Sequence, residues 1–117
     1  MLDFNLDHAA RGFAALGDAT RLTLFLRLGQ GEGATITELS AGLPVTRQAV
    51  TKHLTVLHEA GLIDWQKQGR AARLRARPES VAEMQKWLDQ IGREWQGTLA
   101  RFKAHVEAGL PPTKDQG

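Results

Sequence analysis

Residues 36 to 77 constrain this chain more than any other stretch. A short helical segment, Ile36 to Ala41, meets a turn at Gly42-Leu43-Pro44, and a second helix runs from Thr46 to Ala60. A basic hairpin centred on Gln68-Gly69-Arg70 follows. Helix, turn, helix and basic ribbon, in that order, is the arrangement of a winged helix-turn-helix, which reads double-stranded DNA. The expected fold class is therefore mainly α with a small β-hairpin wing.

On a helical wheel, Val50, Leu54 and Leu57 form the buried face of the second helix. Arg47, Gln48, Thr51, Lys52 and Thr55 fall on the opposite arc, and Thr46 is the natural N-cap. These side chains suit a major groove. Arg forks onto guanine, Gln onto adenine, and Thr offers a methyl or a hydroxyl. Any solvated helix has a polar arc; the turn before this one and the ribbon after it favour reading. His53 sits at the edge of the buried face beside Ala49 and Ala60. Packing, with one bond to backbone or phosphate, is favoured there over base contact. His58 and Glu59 near the helix end are expected to stay solvated.

Leu62 to Lys67 and Ala72 to Arg77 read as the two strands of the wing. Alternation puts Ala72, Leu74 and Ala76 on one face and Arg73, Arg75 and Arg77 on the other. Three guanidiniums on one ribbon face predict a phosphate-binding strip, and Arg70 at the tip suits a narrow minor groove. The alternative is that some of these arginines form surface pairs with acidic residues of the last helix. Arg70 and Arg73 are the foremost expected contacts, Lys67 and Arg75 stand beside them, and Arg77 is left out.

The charge distribution agrees. Residues 44–78 hold seven basic residues against two acidic ones, whereas residues 1–43 hold three against five. Positive charge gathered on one segment points to a polyanionic partner met by one face. At 117 residues, 42% hydrophobic and 24% charged, the chain supports one ordinary domain with a modest core. We place it at 1–107, with 108–117 as a disordered Pro/Lys/Asp/Gly-rich tail. There is no cysteine, which excludes disulfides, thiolate metal sites and thiol redox sensing. No run of eighteen apolar residues predicts a membrane span, and Met1 to Asp7 lack the pattern of a signal peptide, so a cytoplasmic location is expected. Gly-x-Ser-x-Gly, Gly-x-Gly-x-x-Gly and carboxylate–histidine clusters are missing, which argues against an enzyme.

The flanking segments read as helices. Residues 7–16 carry Ala9, Ala10, Phe13 and Leu16 on one stripe. Asp18 caps a helix over 19–28 whose Leu22, Phe25, Leu26 and Leu28 turn toward the core. Thr35 or Thr37 caps the third helix, and Thr35-Ile-Thr-Glu38 fits a capping box. Pro78 ends the wing, and one long helix is predicted over 79–107. Its stripe of Met84, Leu88, Ile91, Trp95, Leu99, Phe102 and Val106, with Trp87 beside it, is too long for so small a core to bury. A second subunit is the favoured cover; packing on the first helix alone is the other possibility.

The run Phe13-Ala-Ala-Leu-Gly-Asp-Ala-Thr-Arg-Leu22, then Ile36-Thr-Glu-Leu39, then Gln48-Ala-Val-Thr-Lys-His-Leu-Thr-Val-Leu-His-Glu-Ala-Gly-Leu-Ile63, resembles the ArsR/SmtB family of bacterial repressors over about residues 1 to 106. The resemblance implies a homodimer paired through its first and last helices, with Phe13, Leu88, Ile91, Trp95, Leu99 and Phe102 at the interface. It also implies repression by occupying an imperfect operator palindrome. The chain departs from the family's metal sensors. Leu39-Ser-Ala41 stands where they carry a Cys-x-Cys pair, and Asp89 and His105 are the nearest approach to their last-helix ligands. No metal or other cofactor is therefore expected; the Trp87 and Trp95 pair resembles metal-independent members, which are auto-regulatory or answer to a small organic effector. A winged helix used for protein contacts or RNA binding is the competing reading.

Overall fold

The computed structural model describes residues 5–29 and 31–109. Eight elements follow in order: α1 (Leu6–Leu16), α2 (Ala19–Leu28), α3 (Ile36–Ser40), α4 (Arg47–Glu59), β1 (Ile63–Gln68), β2 (Ala71–Ala76), α5 (Pro78–Glu94) and α6 (Gln96–Glu107). Residues 110–117, most of the expected tail, lie outside the described residues.

Local chemistry sets the helix starts. Asp18 accepts the Arg21 N–H at 3.0 Å, and Thr46 accepts the Ala49 N–H at 3.0 Å. Thr35 and Glu38 form a reciprocal capping box at the head of α3. Between α3 and α4 the chain turns at Gly42, whose φ of 77° is strained for any residue with a Cβ. Gly69 at φ 61° does the same work at the wing tip.

The core is one cluster. Leu24 and Leu28 of α2, Leu39 of α3, and Val50, Leu54 and Leu57 of α4 meet Leu62, Ile63 and Leu74 below the wing. Ala34 adds a short bridge to β2, exchanging both backbone hydrogen bonds with Leu74 at 2.9 and 2.8 Å. The segment before α3 is thus tied to the wing, a pairing the sequence pattern did not suggest.

Three expectations are corrected. Leu22 and Leu26 face solvent; Leu24 joins Phe25 and Leu28 inside instead. Apolar residues cover so much of the α2 wheel that its inward arc is decided by neighbouring helices. On α1 the inward arc is Ala9, Gly12 and Ala15, and Ala10 is exposed. Finally, the single helix expected over 79–107 is broken at Trp95, whose φ of −99° and ψ of 6° leave the helical region. Gly92 and Gly97 bracket the break and weaken helix preference there.

The α6 helix buries none of its residues. Its projection stretches the protomer to 59 × 32 × 25 Å, with a radius of gyration of 18.6 Å. A compact chain of this length would have roughly 13 Å.

Candidate nucleic-acid interface

The reading arc on α4 forms as expected. Val50, Leu54 and Leu57 are fully buried, so the opposite side must face out. Arg47, Gln48, Lys52 and Thr55 are exposed there, and Thr51 is half-buried. Both threonine hydroxyls donate to their own helix: Thr51 Oγ1 to the Arg47 carbonyl at 3.0 Å and Thr55 Oγ1 to the Thr51 carbonyl at 2.9 Å. With those protons engaged, the threonines present methyl groups and acceptor lone pairs outward.

Two arginines of α2 hold this region together. Arg27 Nη1 donates to the Leu39 and Ala41 carbonyls at 2.9 and 2.8 Å, closing the C-terminal end of α3 just before the turn. Arg21 Nε donates to the Ala15 carbonyl at 2.6 Å and Nη2 to the Ala14 carbonyl at 3.3 Å, closing α1. Its Nη1 lies 3.4 Å from His53 Nδ1 on α4. Within the protein His53 thus bonds a side chain and not the backbone group anticipated. Arg21 lies in the Phe13 to Leu22 run that carries the family resemblance, but the sequence indicated a role for neither arginine. The Asp18 carboxyl is held below its ordinary range, first by the Arg21 backbone N–H and to a smaller extent by the Arg21 guanidinium.

The wing is an antiparallel pair with Trp65 opposite Leu74 and Gln66 opposite Arg73. Directly paired residues share a face. Lys67, opposite Ala72, therefore lies on the Trp65 and Leu74 face, away from Arg73 and Arg75. The basic side chains thus lie on two faces, with Arg73 and Arg75 together on one as the alternation predicts. Arg75 stands opposite Asp64. Arg73 is half-buried, donates to the Gly33 carbonyl at 3.4 Å, and is turned toward α3. There the Glu38 carboxyl is lowered chiefly by the Thr35 backbone N–H, with a smaller effect of Arg73. Arg77 pairs with Glu79 of α5 at 3.0 Å and with Asp64 at 3.7 Å, and those partners raise its pKa. This is the pairing that left it out of the expected set. Arg70 stands exposed at the tip and Lys67 near it. The wing is steadied on the reading helix by His58, whose ring meets Trp65 edge-on at 5.9 Å.

Of the expected interface residues, Leu88, Ile91, Trp95, Leu99 and Phe102 are open, between 36% and 56% exposed, and Val106 continues the row. Phe13 differs. It is half-buried and packs edge-on against Trp87 within the protomer, the centroids 5.5 Å apart. Trp87 itself is buried, so it belongs to the α1–α5 contact and not to the exposed row. Asp89 and His105 lie on different helices. Among the described residues, no group of three or more His, Asp or Glu is placed to hold a metal ion, and no helix is long and apolar enough to cross a membrane.

Known proteins place this geometry. The family described as "Helix-turn-helix domain" matches residues 16–64. The HTH-type transcriptional regulator Rv2034 of Mycobacterium tuberculosis is 33% identical over 98 residues, spanning 84% of this chain and 88% of that protein. An ArsR-like transcriptional regulator from Rhodococcus sp. RHA1 superposes with a TM-score of 0.70 at 38% identity, over 84% of this chain and 92% of that one. The homodimeric winged helix-turn-helix domain of Mb0332 from Mycobacterium bovis, a possible ArsR-family regulator, shares the fold with a TM-score of 0.61 at 24% identity, over 78% and 82% of the two chains. With its helix-turn-helix DNA-binding domain and wing, the chain belongs to the ArsR family of winged helix-turn-helix transcriptional regulators.

Proposed function

We propose that the protein is a homodimeric repressor, located in the cytoplasm, that occupies an imperfect operator palindrome without a bound metal and has no catalytic activity. Residues 1–107 would serve as one DNA-binding and dimerisation unit. The observation that carries this reading is the outward arc of α4, where Arg47, Gln48, Lys52 and Thr55 stand exposed over a fully buried apolar face. Two copies of α4 would enter successive major grooves about 34 Å apart. Arg70 and Lys67 at the wing tips would meet the flanking backbone, with Arg75 on the other ribbon face. The open row on α5 and α6 would pair the subunits, as the homodimeric state of the M. bovis relative supports. A cysteine-free chain lacks the thiolate donors of the family's metal sensors, which supports an organic effector or none.

The test is a titration into labelled duplex from the protein's own upstream region and into a scrambled control, at two salt concentrations, with and without zinc. The expected result is preference for the native duplex, weakening with salt and indifferent to zinc. Equal binding to both duplexes removes self-regulation, a zinc-dependent change removes the metal-free reading, and no binding at low salt favours a module for protein contacts.

Arg47→Ala or Gln48→Ala is expected to cost about 1–3 kcal/mol and to relax preference at one base position. Equal loss on every duplex would show that these side chains do not read bases. Arg70→Ala is expected to weaken all duplexes alike and to lower the salt slope by about one. An unchanged slope would take Arg70 off the phosphates.

A further inference from the structure

Apolar packing sets the roll of a reading helix less sharply than a directional bond does. The contacts of Val50, Leu54 and Leu57 are non-directional. A roll of about 20° at a side-chain radius of about 5–6 Å moves a tip by about 2 Å, more than a bidentate hydrogen bond tolerates. Among the described residues, the side-chain hydrogen bond that ties α4 to another element is the one between His53 Nδ1 and Arg21 Nη1.

The guanidinium has no acceptor, so in this contact Nδ1 accepts. Asp18 Oδ2 lies 3.9 Å from the same nitrogen, beyond hydrogen-bond distance. Arg21 is itself immobilised by the carbonyls of Ala14 and Ala15, at the C-terminal end of α1. One side chain therefore joins the last turn of α1 to the middle of α4.

We infer that Arg21 is a positioning residue for DNA reading: anchored on α1, it sets the roll of α4 through His53. The inference rests on the DNA-reading function proposed above.

The test compares affinity for the duplex that wild-type protein selects from a random pool with affinity for a scrambled duplex. His53→Leu, which keeps the packing and removes the acceptor, is expected to cut that ratio roughly five- to tenfold. It should leave scrambled-duplex affinity and the salt slope unchanged. His53→Asn places an amide oxygen near the lost nitrogen, and is expected to restore the ratio to within about twofold of wild type.

An unaltered ratio in His53→Leu overturns the inference, as does an Asn variant no better than Leu. A loss shared by both duplexes with a shallower salt slope makes His53 a phosphate contact instead. Wild type that selects no sequence sinks the function itself and the inference with it, whereas selection with unaffected variants sinks the inference alone.

Discussion

Trp95→Glu is expected to turn a dimer into a folded monomer and to reduce operator affinity by roughly 10²–10⁴-fold, the range over which linked binding sites exceed single ones. The physical basis is the exposed row of Leu88, Ile91, Trp95, Leu99, Phe102 and Val106 on α5 and α6. Trp95 is 56% exposed in the protomer, so a glutamate there removes little of the protomer's own packing. In a dimer the same carboxylate would be buried among apolar side chains, where an unpaired charge is strongly unfavourable. A monomer also loses about half of its phosphate contacts, so the salt slope should fall with the affinity. Sedimentation velocity and DNA titration on the same sample check both arms. Leu99→Glu, one turn into α6, should behave alike. Dimers persisting in both variants would move the subunit interface off this row.

Local chemistry was legible in the sequence wherever one residue decides the outcome. Asp18, Thr35, Glu38 and Thr46 each cap the helix their spacing indicated. Val50, Leu54 and Leu57 form the buried face because a 3.6-residue period admits no other arrangement for that segment. What escaped detection depends on partners distant in sequence. Period-two alternation shows that Arg73 and Arg75 share a face, but only strand register shows that Lys67 lies on the other. The approach of Arg73 to the Gly33 carbonyl needs residues 40 apart to meet. The apolar spacing through Trp95 is continuous from Leu88 to Val106, yet Gly97 carried a signal of weak helix preference that the stripe obscured.

Trp87→Ala should destabilise the protomer by about 3–5 kcal/mol, a large share of the roughly 5–15 kcal/mol that holds a domain of this size. The indole is 4% exposed and sits between α1 and α5, so its loss leaves a cavity bordered by both helices. Phe13 and His8 each meet it edge-on with centroids 5.5 Å apart. The nearby ion pair between His8 and Glu83, at 3.6 Å and about half exposed, contributes little by comparison. Gly12 completes the seat: a Cβ there would lie 3.0 Å from the indole Cζ3. Gly12→Ala should therefore cost about 1–3 kcal/mol by overpacking, and less in a Trp87→Phe background, where the smaller ring frees that space. Urea unfolding followed by circular dichroism reads all three variants. At a slope of about 1–3 kcal/mol per molar, Trp87→Ala should lower the midpoint by roughly 1–5 M. Because α1 also supplies the carbonyls that hold Arg21, the Trp87 variant should lose DNA discrimination at urea concentrations below its unfolding midpoint. Discrimination that persists up to that midpoint would separate the seating of α1 from the setting of α4.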